Sequence, residues 1–149
     1  WELMKKGPSV FLCCRVFSEK EAAERFDSCL AAASKVTGAP TNYILSKFRF
    51  QHLAASRHLI SLGMLLGTLP DSRCTTLQIG KMLGRDHTTV LVGSMSFIRQ
   101  AKRKPVIETQ IEMFGDEISC PDLLERGRRY MRCRTNGAKD AVKFIVEGE

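Results

Sequence analysis

A chain of 149 residues with 44% hydrophobic and 26% charged side chains is long enough for one core and too apolar for global disorder. Its net charge of +7 and pI near 9.3 favour an anionic partner. No apolar run is long enough to span a bilayer and no signal peptide is visible, so a membrane partner is not expected.

In chain order, Gly7-Pro8 punctuates the N-terminus, and Val10 to Phe17 is a short apolar run that fits either a strand or an arm packed on the core. Residues 1–17 are therefore read as an N-terminal arm. Ser18-Glu19-Lys20-Glu21 is a capping box, in which the Ser18 hydroxyl and the Glu21 carboxylate take up each other's unpaired amides. The helix it starts runs to about Val36, with Ala22, Phe26, Cys29, Leu30 and Ala33 on one face, and stops at Thr37-Gly38. Pro40 to Lys47 reads as a short helix that Thr41 or Asn42 caps, apolar at Tyr43, Ile44 and Leu45. His52 to Leu69 predicts a long core helix: Leu53, Ser56, Ile60, Gly63, Met64 and Gly67 trace one stripe, and Leu59, Leu62, Leu65 and Leu66 broaden it. Pro70 to Arg73 connects it to the next helix.

Thr76 to Leu83 predicts a short helix with Leu77, Ile79, Met82 and Leu83 turned inward. Gly84 breaks it, since glycine alone turns there without a Cβ penalty. A second helix starts at Arg85 or Asp86, with Asp86 as N-cap and Val90, Leu91, Met95 and Ile98 on its buried face. This is the pattern of a helix-turn-helix, and it leaves His87, Thr88 and Thr89 in the exposed first turn of the second helix, where such folds meet base edges. The positive charge gathers in the same place. Between Ser46 and Lys104 ten basic residues face only Asp71 and Asp86, whereas the flanking stretches are close to balance.

Beyond Lys104-Pro105, Ile107, Ile111, Phe114 and Ile118 give Val106 to Ile118 the spacing of an amphipathic helix. Pro121 to Cys133 reads as another, with Pro121 in its first turn, Leu123 and Leu124 apolar, and Arg126, Arg128, Arg129, Arg132 and Arg134 dense along it. These arginines fit either added phosphate contacts or a solvated face balanced by local acids. Asn136-Gly137 is a turn signal, and Ala138 to Val146 ends as a short helix or strand. The expected class is all-α: an arm (1–17), a helix-turn-helix domain (18–104) and a helical C-terminal extension (105–149).

Arg85-Asp86-His87-Thr88-Thr89-Val90, preceded by Ile79-Gly80 and Leu83, resembles the signature of the C-terminal DNA-binding domain of the bacterial replication initiator DnaA. The similarity extends in pattern through Ser46-Lys47-Phe48-Arg49 and Ala54-Ala55-Ser56-Arg57-His58, and covers roughly Glu19 to Lys104. It implies a stand-alone helical bundle that binds double-stranded DNA at sites like those of the initiator. Arg49 takes the place of the arginine that enters the minor groove, where negative potential is concentrated. Asp86, His87, Thr88 and Thr89 fall on the major-groove positions, and their chemistry suits base edges and a thymine methyl. Lys47, Arg57, Lys81 and Arg85 are the expected phosphate contacts. His58 reads as a surface or half-buried histidine. Two departures stand out: the connection through Pro70 to Arg73 is longer than usual in the family, and the turn carries one glycine, Gly84, where many initiators have two residues.

Six cysteines, Cys13, Cys14, Cys29, Cys74, Cys120 and Cys133, show no Cys-x-x-Cys spacing, so neither a metal site nor a disulfide framework is expected, and most read as small buried hydrophobes. No phosphate-binding loop, zincin motif or nucleophile elbow occurs. Without the phosphate loop no nucleotide cofactor and no ATPase activity are expected, and the chain is read as a non-enzyme acting in the cytoplasm at the nucleoid, in regulation of transcription or replication in a bacterium, prophage or mobile element. The competing expectation is an adaptor that keeps the fold without base readout and meets a protein partner, or a second copy, through residues 105–149.

Overall fold

The computed structural model describes residues 15–67 and 72–136, with the side chains of 51, 52, 72, 73 and 133–136 outside that description. The expectations for residues 1–14, for 68–71 and for Gly137 to Val146 lie outside the described residues. The fold is all-α. Seven helices, α1 (Glu19–Thr37), α2 (Thr41–Ile44), α3 (Gln51–Leu66), α4 (Thr76–Leu83), α5 (His87–Ala101), α6 (Pro105–Glu117) and α7 (Leu123–Asn136), are accompanied among the described residues by one pair of two-residue strands. These strands, β1 (Arg15–Val16) and β2 (Ser72–Arg73), run parallel, with Arg15 opposite Ser72 and Val16 opposite Arg73. No described helix is long and apolar enough to cross a membrane.

Local chemistry sets most helix ends. Ser18 and Glu21 form the expected capping box on α1, and Arg15 grips the Glu21 carboxylate through both of its terminal nitrogens at 2.7 and 2.9 Å. That guanidinium first, and the Ser18 amide next, hold Glu21 down to about 2. Gly38 closes α1 in the left-handed region at φ 79°. The cap of α2 differs from expectation. Pro40 occupies the N-cap position and neither Thr41 nor Asn42 supplies a side-chain cap; Thr41 is already the first helical residue. A second capping box, Thr75 with Gln78, starts α4. Pro121 lies outside α7 rather than in its first turn, because the helix begins only at Leu123.

The core is built around α3. From Leu59 to Leu66 every residue is buried, so this half of the helix is enclosed on all sides rather than along one stripe. α1 lies along it, and α4, α5 and α7 close the remaining sides. Gly63 permits the closest approach: a Cβ there would stand 2.8 Å from the Phe114 ring and 3.0 Å from Cys29 Sγ. The segment after Lys104 shares this core, with Ile111, Phe114 and Leu123 almost wholly buried. Cys29, Cys74 and Cys120 are buried, as expected of small hydrophobes; burial raises the Cys29 thiol to about 12 and the Cys120 thiol to about 11. One inward assignment fails. Leu77 is 65% exposed, because in so short a helix Ile79, Gly80 and Leu83 already fill the face toward α3 and α5.

Four of the arginines of α7 are paired within the fold, and the side chain of the fifth, Arg134, lies outside the described residues. Arg126 bonds Asp122 and the Leu66 carbonyl, Arg128 reaches Glu108, and Arg129 and Arg132 share Glu125. Three acids, Asp122, Glu108 and Glu125, thus pair with these four arginines.

Gln78 joins two parts of the chain. Its Oε1 accepts from the Thr75 amide at 2.9 Å while its Nε2 donates to the Phe17 carbonyl at 2.8 Å. Replacing Gln by Glu at the third position of a helix ordinarily helps, since a carboxylate favours the helix N-terminus. Here Gln78→Glu is expected to destabilise by about 1 kcal/mol, because the lost donor leaves two oxygens facing each other. Urea denaturation measures this, and a stabilised variant would contradict it.

Candidate nucleic-acid interface

Three short stretches separated widely in sequence meet at one open cleft of about 620 Å³: the loop after α2, the start of α3, and the turn between α4 and α5. Gly84 makes that turn possible in the left-handed region at φ 68°, with no atom near enough to obstruct a side chain. Asp86 then caps α5, its Oδ2 accepting from the Thr88 amide at 3.0 Å, while Oδ1 stands 3.7 Å from His87 Nδ1. His87, Thr88 and Thr89 are exposed in the first turn of α5, and Val90, Phe97 and Ile98 anchor the helix below them, with Leu91 and Met95 half-buried.

Lys47, Arg49, Arg85, Asp86 and Thr89 line the cleft; His87 and Thr88 stand outside its lining, and Lys81 is exposed on α4, apart from it. Arg85 is half-buried and folds over its own turn, donating through Nη1 to the Leu83 and Gly84 carbonyls at 3.4 and 3.2 Å.

Arg57 requires a correction. Read from the sequence as a phosphate contact, it is 7% exposed and its guanidinium is directed at the main chain. Nε donates to the Ile44 carbonyl at 2.8 Å and Nη1 to that of Phe48 at 2.7 Å. Nη2 donates to those of Tyr43 and Ser46 at 3.3 and 2.7 Å. A planar fork of donors is what a loop with several inward carbonyls needs, and no other side chain supplies it. Arg57 is a positioning residue: it shapes the loop that presents Lys47 and Arg49. Its charge still acts on the cleft. Burial lowers the Arg57 guanidinium below its ordinary value, and the neighbouring Arg85 and Arg49 charges add to this. Cations gathered in this way repel one another.

His58 forms a wall of the same cleft, half-buried, its ring centroid 5.3 Å from that of Phe97. Gly93 on α5 makes room for it, since a Cβ there would lie 2.5 Å from His58 Cε1. Burial, and secondarily the Arg57 charge, push the imidazole below its usual 6.5. The folded state thus favours the neutral ring. The stability this supplies is fully present above the unfolded value and is lost as pH falls through the folded one. Urea denaturation from pH 7.5 to 5 is expected to show a loss of stability that His58→Gln largely removes; parallel slopes in the two proteins would contradict this.

Gly80 has a role that sequence reasoning missed. Its carbonyl accepts from the amides of both Gly84 and Arg85, and a Cβ on it would meet the Arg85 carbonyl oxygen at 2.5 Å. The signal is a glycine in mid-helix, where it costs helix stability and needs a packing reason. Among the described residues no group of three or more His, Cys, Asp or Glu is placed to hold a metal ion. Comparison with protein-family models, curated proteins and solved structures finds no match to this chain.

Proposed function

We propose that this protein binds duplex DNA at specific sites, in the manner its resemblance to the DnaA DNA-binding domain suggests, and without ATPase activity. One observation carries the reading: a cleft lined by Lys47, Arg49 and Arg85, with the buried Arg57 behind them, adjoins the exposed, polar first turn of α5. Cations at the cleft suit phosphate and the minor groove, and a capped helix start with His87, Thr88 and Thr89 exposed suits base edges in the major groove. Asp86 keeps Oδ1 for a cytosine amino group while Oδ2 caps the helix. Lys81 and Arg85 complete the phosphate contacts. The use is regulation of transcription or replication at sites related to those of the initiator, in the nucleoid of a bacterium or of a cell carrying a phage or mobile element.

Selection from random duplex DNA near physiological salt tests the reading, with Arg49→Ala and His87→Ala alongside. A short asymmetric motif containing A/T pairs is expected, weakened in both variants. Thr88→Ala should lose about 1–3 kcal/mol of discrimination at one base pair. Enrichment of no motif, with weak binding that collapses as salt rises, would leave only a basic surface; indifference to Thr88→Ala would turn attention to an adaptor role through the C-terminal helices.

A further inference from the structure

The end of α2 and the loop after it, Tyr43 to Phe50, carry a second surface. Tyr43, Leu45, Phe48 and Phe50 are 45, 47, 51 and 57% exposed, an unusual density of large apolar side chains for so short a stretch outside a core. The three rings are in file. Tyr43 and Phe48 meet edge to face with centroids 5.8 Å apart, and Phe48 and Phe50 lie 5.7 Å apart at a tilt of 36°. The backbone beneath them is held by Arg57, which bonds the carbonyls of Tyr43, Ser46 and Phe48. The rings are thus displayed by a braced loop. Charge alternates with them: Lys47 and Arg49 line the cleft, and the alternate residues Phe48 and Phe50 do not.

We infer that this aromatic ridge is a site for unpaired nucleobases, binding single-stranded nucleic acid by stacking on Phe48 while Lys47 and Arg49 hold its phosphates. Charge complementarity selects that occupant over an apolar protein surface. No Asp or Glu occurs between Asp27 and Asp71, so every charged side chain that the surrounding sequence contributes is positive. A cationic track beside aromatic faces is the physical recipe for binding single strands without sequence preference. Phe48 and Phe50 stand outside the cleft that Lys47 and Arg49 share with Asp86 and Thr89, and stacking on them does not require that α5 read a duplex.

The test is fluorescence anisotropy of the full chain with a labelled oligothymidylate, with an oligonucleotide of equal length carrying abasic sites, and with Phe48→Ala and Phe48→Trp variants. Because Phe48 is half exposed, the variants are expected to keep the wild-type thermal melt. Phe48→Ala should weaken oligothymidylate binding about 5- to 150-fold, Phe48→Trp should restore it, and neither should change binding of the abasic strand. His87→Ala should leave binding of both strands unchanged, so that failure of duplex recognition is read separately. Equal affinity for the normal and abasic strands would overturn the proposal, leaving phosphate attraction alone. A Phe48→Ala protein with unaltered single-strand binding would overturn it too, and a change confined to oligomeric state would assign the ridge to a protein contact instead.

Discussion

Arg57→Ala is expected to destabilise the protein by about 3 kcal/mol, the largest effect of any single substitution away from the hydrophobic core. The side chain makes four hydrogen bonds to carbonyls of the last residues of α2 and of the loop after it, and its removal leaves acceptors behind that were folded around a cation. Because the loop is close to solvent, water can replace some of these bonds, which keeps the cost below the sum of four charged hydrogen bonds. Arg57→Lys is expected to recover less than half of the loss, since a single ammonium cannot reach carbonyls spread around a planar fork. DNA affinity should fall beyond what the stability loss explains, because Lys47 and Arg49 ride on the same loop. Urea denaturation gives the first quantity, and titration of duplex DNA at a temperature where the variant is fully folded gives the second. Full affinity in a folded Arg57→Ala protein would sever the link drawn between the buried arginine and the cleft.

Gly80→Ala should cost about 1–3 kcal/mol and weaken binding of duplex DNA at least tenfold, although it adds one methyl group to a helix. The atoms in the way are main chain: the Arg85 carbonyl oxygen at 2.5 Å and the His87 amide nitrogen at 3.3 Å. A flexible side chain can step aside, but here the turn itself must move, and α5 with it. Gly84→Ala is the control. Nothing lies near its Cβ, and its cost of about 1 kcal/mol comes from the left-handed backbone alone. Thermal melts and anisotropy titrations of both variants separate the two causes; equal losses of affinity would show that backbone strain, not the position of α5, is what matters.

The two glycines also show where sequence is legible. Gly84 announces itself, because a glycine between two apolar-patterned helices is a turn signal, and α4 has the bounds Thr76–Leu83 expected of it. Caps are equally local: Ser18 with Glu21, and Asp86, act as their neighbours in sequence require. The long-range roles are hidden. Gly80 looks like a weak point in a helix until the turn is seen folding back on it. Arg57 looks like a surface cation because almost every arginine is one, and only the meeting of its fork with four carbonyls, 9 to 14 residues away in the chain, removes it from the surface. Leu77 misleads for the opposite reason: it fits the apolar periodicity, but a helix of eight residues has no room to bury it.

The ion pairs of α7 bear on the ionic atmosphere of the protein. Arg126, Arg128, Arg129 and Arg132 carry their counterions as carboxylates of the fold itself, from Asp122, Glu108 and Glu125. On meeting a polyanion such a helix displaces few condensed cations, because binding there would first have to break pairs already made. In the proposed binding of nucleic acid, the entropy of cation release, which dominates the salt response, would therefore come little from these four arginines. A net charge of +7 describes where the chain migrates in a field, but a salt response would count only the cations that meet phosphate without first leaving a carboxylate.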